Sequence, residues 1–322
     1  MSTMKGTIVI LGAAGRIGDA AARAFVEAGW RVKCVGRNAR LAEMAPGVEP
    51  VRADAADGDA LTRACDGADV ILNALNPQYD EWDEKVIPMA RNVAAAAKAA
   101  GATVFIPGNV YNFGHSISMN MREDAPQMRS TQKAGIRIEL EGLFRQLAEE
   151  NGVQTLILRA GDFYGGRKTG SWLDLMILSK LHKGVFTWPG PLDLPHSFAY
   201  LPDLGRAFVH LADRREELSS FDRFHFGGHT LTGQEMFRLT EQETGRKLKK
   251  SGVPWPVIRL MGLFKPLYRE VAIMSYLWRT AHSLDGSKFD KLSGSFEATS
   301  PADAIGQAIA DLDLDGNSAI AA

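Results

Sequence analysis

Thr7-Ile8-Val9-Ile10-Leu11-Gly12-Ala13-Ala14-Gly15-Arg16-Ile17-Gly18 is the stretch of sequence that predicts the fold. Its β-branched and aliphatic start is typical of a buried strand, and small and apolar residues at helical spacing follow the glycine turn. Gly12 can turn sharply off the strand, Gly15 lets a pyrophosphate approach the backbone, and Gly18 lets the helix pack closely. Free N–H groups at the helix start favour phosphate. The dinucleotide-binding residues predicted here are Gly12, Ala14, Gly15, Arg16, Ile17 and Gly18.

The composition excludes several classes of function. The chain has 322 residues with 37 Lys and Arg against 38 Asp and Glu, and it contains no run of like charges. Neither nucleic acid nor a membrane surface is therefore expected as a partner. Cys34 and Cys65 are too few for a disulfide framework and fit a cytoplasmic protein. The apolar stretch from Val257 to Trp278 is too interrupted by charges to span a bilayer. Glycines between His225 and His229 argue against a metal site, so none is predicted.

The end of the second predicted strand indicates which dinucleotide binds. Sites for NAD usually carry Asp or Glu there, whereas an arginine accommodates the 2′-phosphate of NADP. No acidic residue occurs from Arg31 to Ala42, and Arg37 stands at this place with Arg40 one turn behind it. A planar guanidinium is a suitable bidentate donor to phosphate. NADP is therefore the predicted cofactor, NAD stays open, and the alternative is a solvated arginine in a loop.

Strand and helix patterns alternate from Thr7 to Arg159, which predicts an α/β fold with a Rossmann-type doubly wound parallel sheet. The G-x-x-G-x-x-G spacing resembles the short-chain dehydrogenase/reductase superfamily. The stretches 156–165 and 197–207 resemble segments of its extended members, the NAD-dependent epimerase/dehydratase family, that link the Rossmann domain to a substrate domain. The resemblance implies a smaller, mostly helical C-terminal substrate domain. The domain boundaries it implies are 1–165 with 196–230 for the Rossmann part, and 166–195 with 231–322 for the smaller part.

The resemblance also implies further cofactor contacts. Asp54, at the end of the third predicted strand, corresponds to the acidic residue that touches the adenine amino group, and a helix N-cap is its alternative. Asn73 and Ala74, at the end of the fourth strand, correspond to the segment beside the ribose on the nicotinamide side. Small residues there leave room for the cofactor.

The catalytic residues of the family are not matched. The family places a Ser or Thr after the fifth strand, where this chain has Asn109, and Tyr-x-x-x-Lys on the next helix, where this chain has Lys133 and Arg137. Lys133 stays open between a proton donor or substrate-holding cation and a structural residue. Arg137 begins a ladder of alternating charges at four-residue spacing, which favours a solvated surface. A literal Tyr-x-x-x-Lys from Tyr164 to Lys168 contains two glycines and does not lie on the required helix.

The resemblance implies an NADP(H)-binding oxidoreductase or epimerase-like enzyme that acts on a small carbonyl, hydroxyl or sugar-type substrate. Because the catalytic tyrosine is missing, a non-catalytic NADP(H)-sensing regulator is the alternative. Tyr111, directly after the fifth strand, is the first candidate proton donor, with Lys133 as second candidate or as its cationic partner. Tyr164 is a third candidate, and a homodimer stays open. The aromatic residues of the smaller part fit a core better than a pocket for an apolar substrate: Trp172, Trp188, Trp255, Tyr268, Tyr276 and Trp278.

Overall fold

The computed structural model describes residues 5–37, 44–294 and 296–312, so that Arg40 lies outside the described residues. The strands are β1 (Thr7–Leu11), β2 (Arg31–Gly36), β3 (Val48–Arg52), β4 (Val70–Asn73), β5 (Thr103–Gly108), β6 (Thr155–Arg159), β7 (Asp162–Tyr164), β8 (Val185–Trp188), β9 (His196–Tyr200), β10 (Phe221–His225), β11 (His229–Leu231) and β12 (Lys249–Gly252). The α-helices are α1 (Arg16–Glu27), α2 (Gly58–Ala64), α3 (Trp82–Ala100), α4 (Gln132–Asn151), α5 (Leu201–Asp213), α6 (Gly233–Thr244), α7 (Trp255–Met261), α8 (Pro266–Ile273), α9 (Ser287–Ser293) and α10 (Pro301–Asp311). Shorter 3₁₀ segments include Tyr79–Glu81 and Val110–Ser116, and a π-helical turn spans Leu173–Ile177.

The main sheet has seven strands in the order β3-β2-β1-β4-β5-β6-β10, and every neighbouring pair is parallel. The predicted Rossmann-type fold is therefore confirmed. The strand order reverses between β1 and β4, and in such sheets ligands bind at the carboxyl ends of the strands beside the reversal. The returning segment adds β10 to this sheet, while the predicted domain boundaries themselves stay a prediction.

Helices cover both faces of the sheet because β1 is apolar on both sides. Ile8 and Ile10 pack in a core with α1 and α5, whereas Val9 and Leu11 pack in a second core with α2, α3 and α4. Such a strand, buried on both faces, is what the continuous apolar run predicts. In the described part of the chain, no helix combines the length and apolarity needed to cross a bilayer.

The smaller part of the molecule has its own core. Two small sheets, β11-β9-β7 and β12-β8, pack with α6, α7 and α10 around large aromatic side chains. Trp188, Trp255 and Trp278 are buried there, as the sequence favoured. Trp172 and Tyr268 are only partly buried and line a cleft described below.

One buried arginine joins the sheet to the segment that follows β5. Arg159, the last residue of β6, is 1% exposed, and its guanidinium donates to both carboxylate oxygens of Glu141 on α4, at 2.7 and 2.9 Å. It also donates to the Asn112 side chain at 2.9 Å and to the Asn109 carbonyl. Because Nη2 donates to Glu141 and Nη1 donates to Asn109 and Asn112, the guanidinium fixes the position of α4 relative to residues 109–112.

Glu141→Ala would leave this guanidinium buried without its carboxylate, so we expect the free energy of unfolding to fall by about 3–5 kcal/mol. The matched control is Glu49→Ala, because Glu49 and Arg31 form an exposed pair 2.7 Å apart. Loss of an exposed pair costs about 0–1 kcal/mol. Urea denaturation followed by circular dichroism measures both variants. Equally small losses in the two would contradict the role assigned to the buried pair.

Candidate functional site

A cleft of about 1350 Å³ opens at the carboxyl ends of β1, β2, β4 and β5, beside the reversal of strand order. One wall is formed by the glycine turn and the strand ends. The opposite wall comes from the smaller part of the chain, with Trp172, Leu175, Met176, Ile258 and Leu267 among its residues. The cleft is large enough for both a dinucleotide and a further ligand.

The glycine turn leaves space beside the start of α1. Gly12 has a φ of +72°, and a Cβ there would lie 2.6 Å from the Ala74 carbonyl oxygen. A Cβ on Gly18 would lie 2.5 Å from the Gly12 oxygen. A Cβ on Gly15 would meet only that same oxygen, at 3.1 Å, and Gly15 itself lines the cleft. No side chain caps α1, so its first-turn N–H groups border a cradle that a larger residue at Gly15 would fill.

Arg37 and Asp54 line the far end of the same cleft. The Arg37 side chain is 69% exposed, and its Nη1 lies 3.9 Å from Asp54 Oδ2, beyond hydrogen-bond distance. Asp54 accepts from the Ala56 amide at 3.0 Å, whereas the N-cap of α2 is Asp57. The alternative of Asp54 as the helix N-cap is therefore wrong.

The end of β4 carries an acceptor without a partner. Asn73 and Ala74 both line the cleft, and Asn73 is 9% exposed. Among the described residues, the Asn73 side-chain oxygen has no hydrogen-bond partner. A buried acceptor of this kind costs free energy unless a ligand or water satisfies it.

Two tyrosines meet in the cleft. The hydroxyl oxygens of Tyr111 and Tyr79 lie 2.7 Å apart, and both residues line the cleft. Burial raises the pKa of Tyr79 and raises the pKa of Tyr111 well above its usual range. Both phenols are therefore protonated at neutral pH, and only one of the two protons is needed for the bond between them. The other is available to an acceptor in the cleft.

Asn109 holds Tyr111 in place. Its side-chain oxygen accepts from the Tyr111 amide at 3.1 Å and caps the 3₁₀ segment Val110–Ser116. Asn109 also lines the cleft. Tyr79 escaped the sequence analysis because it lies in the irregular segment after β4, where no spacing rule applies. The only available signal was an aromatic residue close behind a strand end at the reversal.

Lys133 does not line the cleft. It is 3% exposed, and its ammonium group pairs with the carboxylate of Glu270 on α8 and donates to the Tyr79 carbonyl at 3.3 Å. The ammonium also lies 4.8 Å from the centre of the Tyr79 ring. These contacts contradict the expectation that Lys133 partners Tyr111 or donates a proton to substrate. A buried ammonium needs a carboxylate, and Glu270 satisfies it away from the cleft.

Arg137 lies in the cleft, so the interpretation of a solvated charge ladder is wrong for it. Its Nη2 donates to the Pro107 carbonyl at the end of β5, at 2.6 Å. Its Nε is buried and has no partner among the described residues. Burial lowers the pKa of Arg137 to about 10, which leaves the side chain charged at neutral pH. The next charge of the ladder, Glu141, is likewise buried, against Arg159.

Arg16 and Tyr164 have structural contacts. The Arg16 guanidinium lines the cleft and donates to the carbonyls of Phe163, Lys168 and Gly170 at 3.0, 3.3 and 3.4 Å. It thereby ties the glycine turn to the segment after β7. The Tyr164 hydroxyl lies 2.6 Å from His229 Nδ1, and Tyr164 is not among the residues that line the cleft. The literal Tyr-x-x-x-Lys is therefore not part of the site.

The model of the NmrA-like family matches residues 4–291. No curated protein matches the sequence. Among solved structures, the fold is similar to UDP-galactose 4-epimerase, with 19% identity and a TM-score of 0.73, covering 95% of this chain and 98% of the other. A UDP-glucose 4-epimerase from Thermotoga maritima has 14% identity and a TM-score of 0.76 at the same coverage. The Bordetella bronchiseptica enzyme WbmH, solved with NAD+, has 17% identity and a TM-score of 0.72, again at 95% and 98% coverage. These similarities confirm the extended short-chain dehydrogenase fold.

The position of Lys133 can be tested through stability. Lys133→Ala would deprive the buried Glu270 carboxylate of its buried partner and leave it with the exposed Arg269, whose Nε lies 3.8 Å from Glu270 Oε1. We therefore expect the free energy of unfolding to fall by about 3–5 kcal/mol. The double variant Lys133→Met/Glu270→Leu removes both charges and should regain most of that loss. Urea denaturation measures both. A Lys133→Ala protein with unchanged stability would contradict the buried ion pair.

Proposed function

The chain belongs to the NmrA-like family, and from that premise we propose that it is an NADP(H)-dependent oxidoreductase acting on an apolar carbonyl or alcohol. The observation that carries the proposal is the Tyr79–Tyr111 pair, which lies in the same cleft as the glycine turn. A cofactor cradle and a proton donor in one cleft are the two elements that a carbonyl reductase requires.

The residues of the cleft suit a dinucleotide. The open space beside Gly15 and the uncapped start of α1 would hold the pyrophosphate. Arg37 would bind the 2′-phosphate, which supports NADP over NAD, and Asp54 would contact the adenine. Asn73, with its unsatisfied oxygen, and Ala74 would lie beside the nicotinamide ribose. When bound, the nicotinamide supplies or accepts the hydride.

The chain itself would supply the proton and a positive charge. Tyr111 stays protonated because burial raises its pKa, so it serves best as a donor to a carbonyl oxygen that is becoming an alkoxide. Tyr79 orients this hydroxyl and is itself held by Lys133. Arg137 places a charged guanidinium at the end of β5 that can stabilise negative charge in the cleft.

The lining of the smaller part supports an apolar substrate. Among the described residues, the cleft lining from the smaller part includes no charged side chain, and Asp162 of β7 lies beside it. A nucleotide sugar carries a diphosphate, which needs cationic or N–H donors on that wall. The wall instead presents Trp172, Leu175, Ile258 and Leu267. A lipophilic or ring-shaped carbonyl compound therefore fits this wall better than the UDP-sugars named for the solved relatives.

The alternative is a regulator that binds NADP(H) and catalyses nothing. It is favoured by one observation: Lys133 and Arg137 stand where extended short-chain dehydrogenases carry their Tyr-x-x-x-Lys, and Lys133 is buried in an ion pair. The two functions differ in turnover, because a regulator binds the cofactor without consuming it.

Cofactor preference is tested at Arg37. We expect the wild type to bind NADPH more tightly than NADH, and Arg37→Ala to weaken NADPH binding by about 1.5–3 kcal/mol while NADH changes little. Arg31→Ala, at an exposed arginine of the same strand, is the matched control. Gly15→Val fills the phosphate cradle and should abolish binding of both cofactors. Titration by cofactor fluorescence measures these affinities. Equal affinities of the wild type for NADPH and NADH would contradict the predicted preference.

The proton donor is tested by Tyr111→Phe, which keeps the ring and removes the hydroxyl. We expect kcat for NADPH oxidation with an apolar aldehyde or ketone to fall by a factor of roughly 10²–10⁴. Tyr164→Phe is the matched control, because that residue lies outside the cleft lining.

The same assay, run with apolar carbonyl compounds and nucleotide sugars, distinguishes the substrate classes. Turnover of nucleotide sugars alone would contradict the proposed substrate. Cofactor binding without turnover of either substrate class, together with cofactor-dependent capture of a protein partner, would contradict the enzyme and support the regulator.

A further inference from the structure

We propose that the hairpin of α7 and α8 docks on an anionic lipid bilayer. The hairpin spans Trp255–Ile273 and carries much of the exposed apolar surface of the described residues. Leu263 is 77% exposed and Phe264 is 81% exposed at its tip. The other exposed apolar side chains of the hairpin are Val257, Leu260, Leu267 and Ile273. Exposed apolar side chains grouped on one pair of helices in this way mark an interaction site.

The inner face of the hairpin is packed, so the exposed face is fixed in place. Ile258 and Trp255 are buried in the core of the smaller part, and the Trp255 indole N–H donates to the Pro189 carbonyl at 2.7 Å. The two helices approach closely at Gly262, where a Cβ would lie 2.9 Å from the Arg269 Cα. The apolar residues on the outside therefore belong to an amphipathic unit with one face on the protein and one face in water.

The charge of the hairpin and of the residues before it in the sequence favours an anionic surface. Asp80 and Glu81 lie on the 3₁₀ segment that packs against α8, where Glu81 is paired with Lys85. No acidic residue occurs from Gly245 to Arg269, although the whole chain has a net charge of −1. Arg259, Lys265 and Arg269 are exposed within or beside the hairpin. Four more exposed basic residues precede it: Arg246, Lys247, Lys249 and Lys250. Apolar tips flanked by Lys and Arg are the pattern of interfacial membrane helices.

The same charge argues against a second copy of the chain as the occupant. A two-fold interface brings the same patch of both copies together. The exposed basic residues of the hairpin itself, Arg259, Lys265 and Arg269, would then come close to one another and repel. The sequence-based expectation of no membrane partner rested on the balanced charge, the lack of a run of like charges and the lack of a spanning segment. The exposed apolar and basic residues of the hairpin lead to the opposite proposal, of docking without spanning.

The patch is continuous with the cleft. Leu267 is 50% exposed and also lines the cleft, and Ile258 of the same hairpin lines it from inside. Leu175, on the π-helical turn, lines the cleft as well and is 60% exposed. A bilayer against the hairpin would therefore adjoin the mouth of the cleft, and a lipophilic substrate could enter without crossing water. This last step rests on the proposed function, whereas the docking does not.

Sedimentation with vesicles tests the docking. We expect the full chain to bind vesicles of equimolar phosphatidylcholine and phosphatidylglycerol, and to bind pure phosphatidylcholine at least about tenfold less. Leu263→Ser/Phe264→Ser should lower binding to the anionic vesicles by at least about tenfold. Arg259→Gln/Lys265→Gln should lower binding and flatten its dependence on salt. The matched control, Met128→Ser/Lys98→Gln, exchanges one exposed apolar and one exposed basic residue elsewhere and should bind as the wild type does.

Three results would overturn the docking. They are no binding to anionic vesicles at low salt, equal binding by the wild type and Leu263→Ser/Phe264→Ser, or a wild-type dimer that the same double variant converts to a monomer. NADPH affinity and turnover of a water-soluble aldehyde, measured on the double variant, should stay unchanged because neither residue lines the cleft. Failure of the docking is thereby distinguished from failure of the proposed function.

Discussion

The buried guanidinium of Arg159 is the constraint on which the site depends. It ends β6 inside the protein, where an unpaired charge would be prohibitively costly, so its donors must all find acceptors. Arg159 donates hydrogen bonds to Glu141 on α4. It also donates to the Asn109 carbonyl and the Asn112 side-chain oxygen in the segment after β5. These contacts fix the strand end, the helix and the loop together. The position of Tyr111 in the cleft follows from this arrangement.

The contacts of α4 also differ from what the family resemblance predicts. The helix that carries the catalytic pair in extended short-chain dehydrogenases here directs Lys133 into a buried ion pair with Glu270 and leaves only Arg137 in the cleft. The phenolic hydroxyls come instead from the loops after β4 and β5. Under the proposed function, the strand ends at the reversal of the sheet remain the place of chemistry, and the proton comes from a different element.

Local rules were sufficient for the Rossmann-type sheet and for the half of the cleft that the glycine turn and the strand ends form. The apolar run of β1 and the glycine turn act over a few residues, so periodicity and glycine spacing predict them directly. Arg37, Asp54 and Asn73 lie at strand ends, and parallel strands bring their carboxyl ends to one edge. Their common location in the cleft therefore follows once the strands are recognised. Contacts between residues that are close in the sequence leave few alternative structures to choose among.

Only the tertiary structure decided which residues the side chains of α4 contact. Lys133 and Glu270 are 137 residues apart, and no spacing rule connects two residues from different elements at that distance. The four-residue charge spacing from Arg137 correctly placed those residues on one face of α4, but a helical period does not tell what the face meets. Arg137 and Glu141 on this face meet the cleft and the buried end of β6, whereas Arg145 and Glu149 further along it are exposed to water. The sequence by itself determined the alternating strands and helices from Thr7 to Arg159 and the place of the strand ends. Packing determined which side chains were desolvated together, and desolvation sets both their partners and their chemistry.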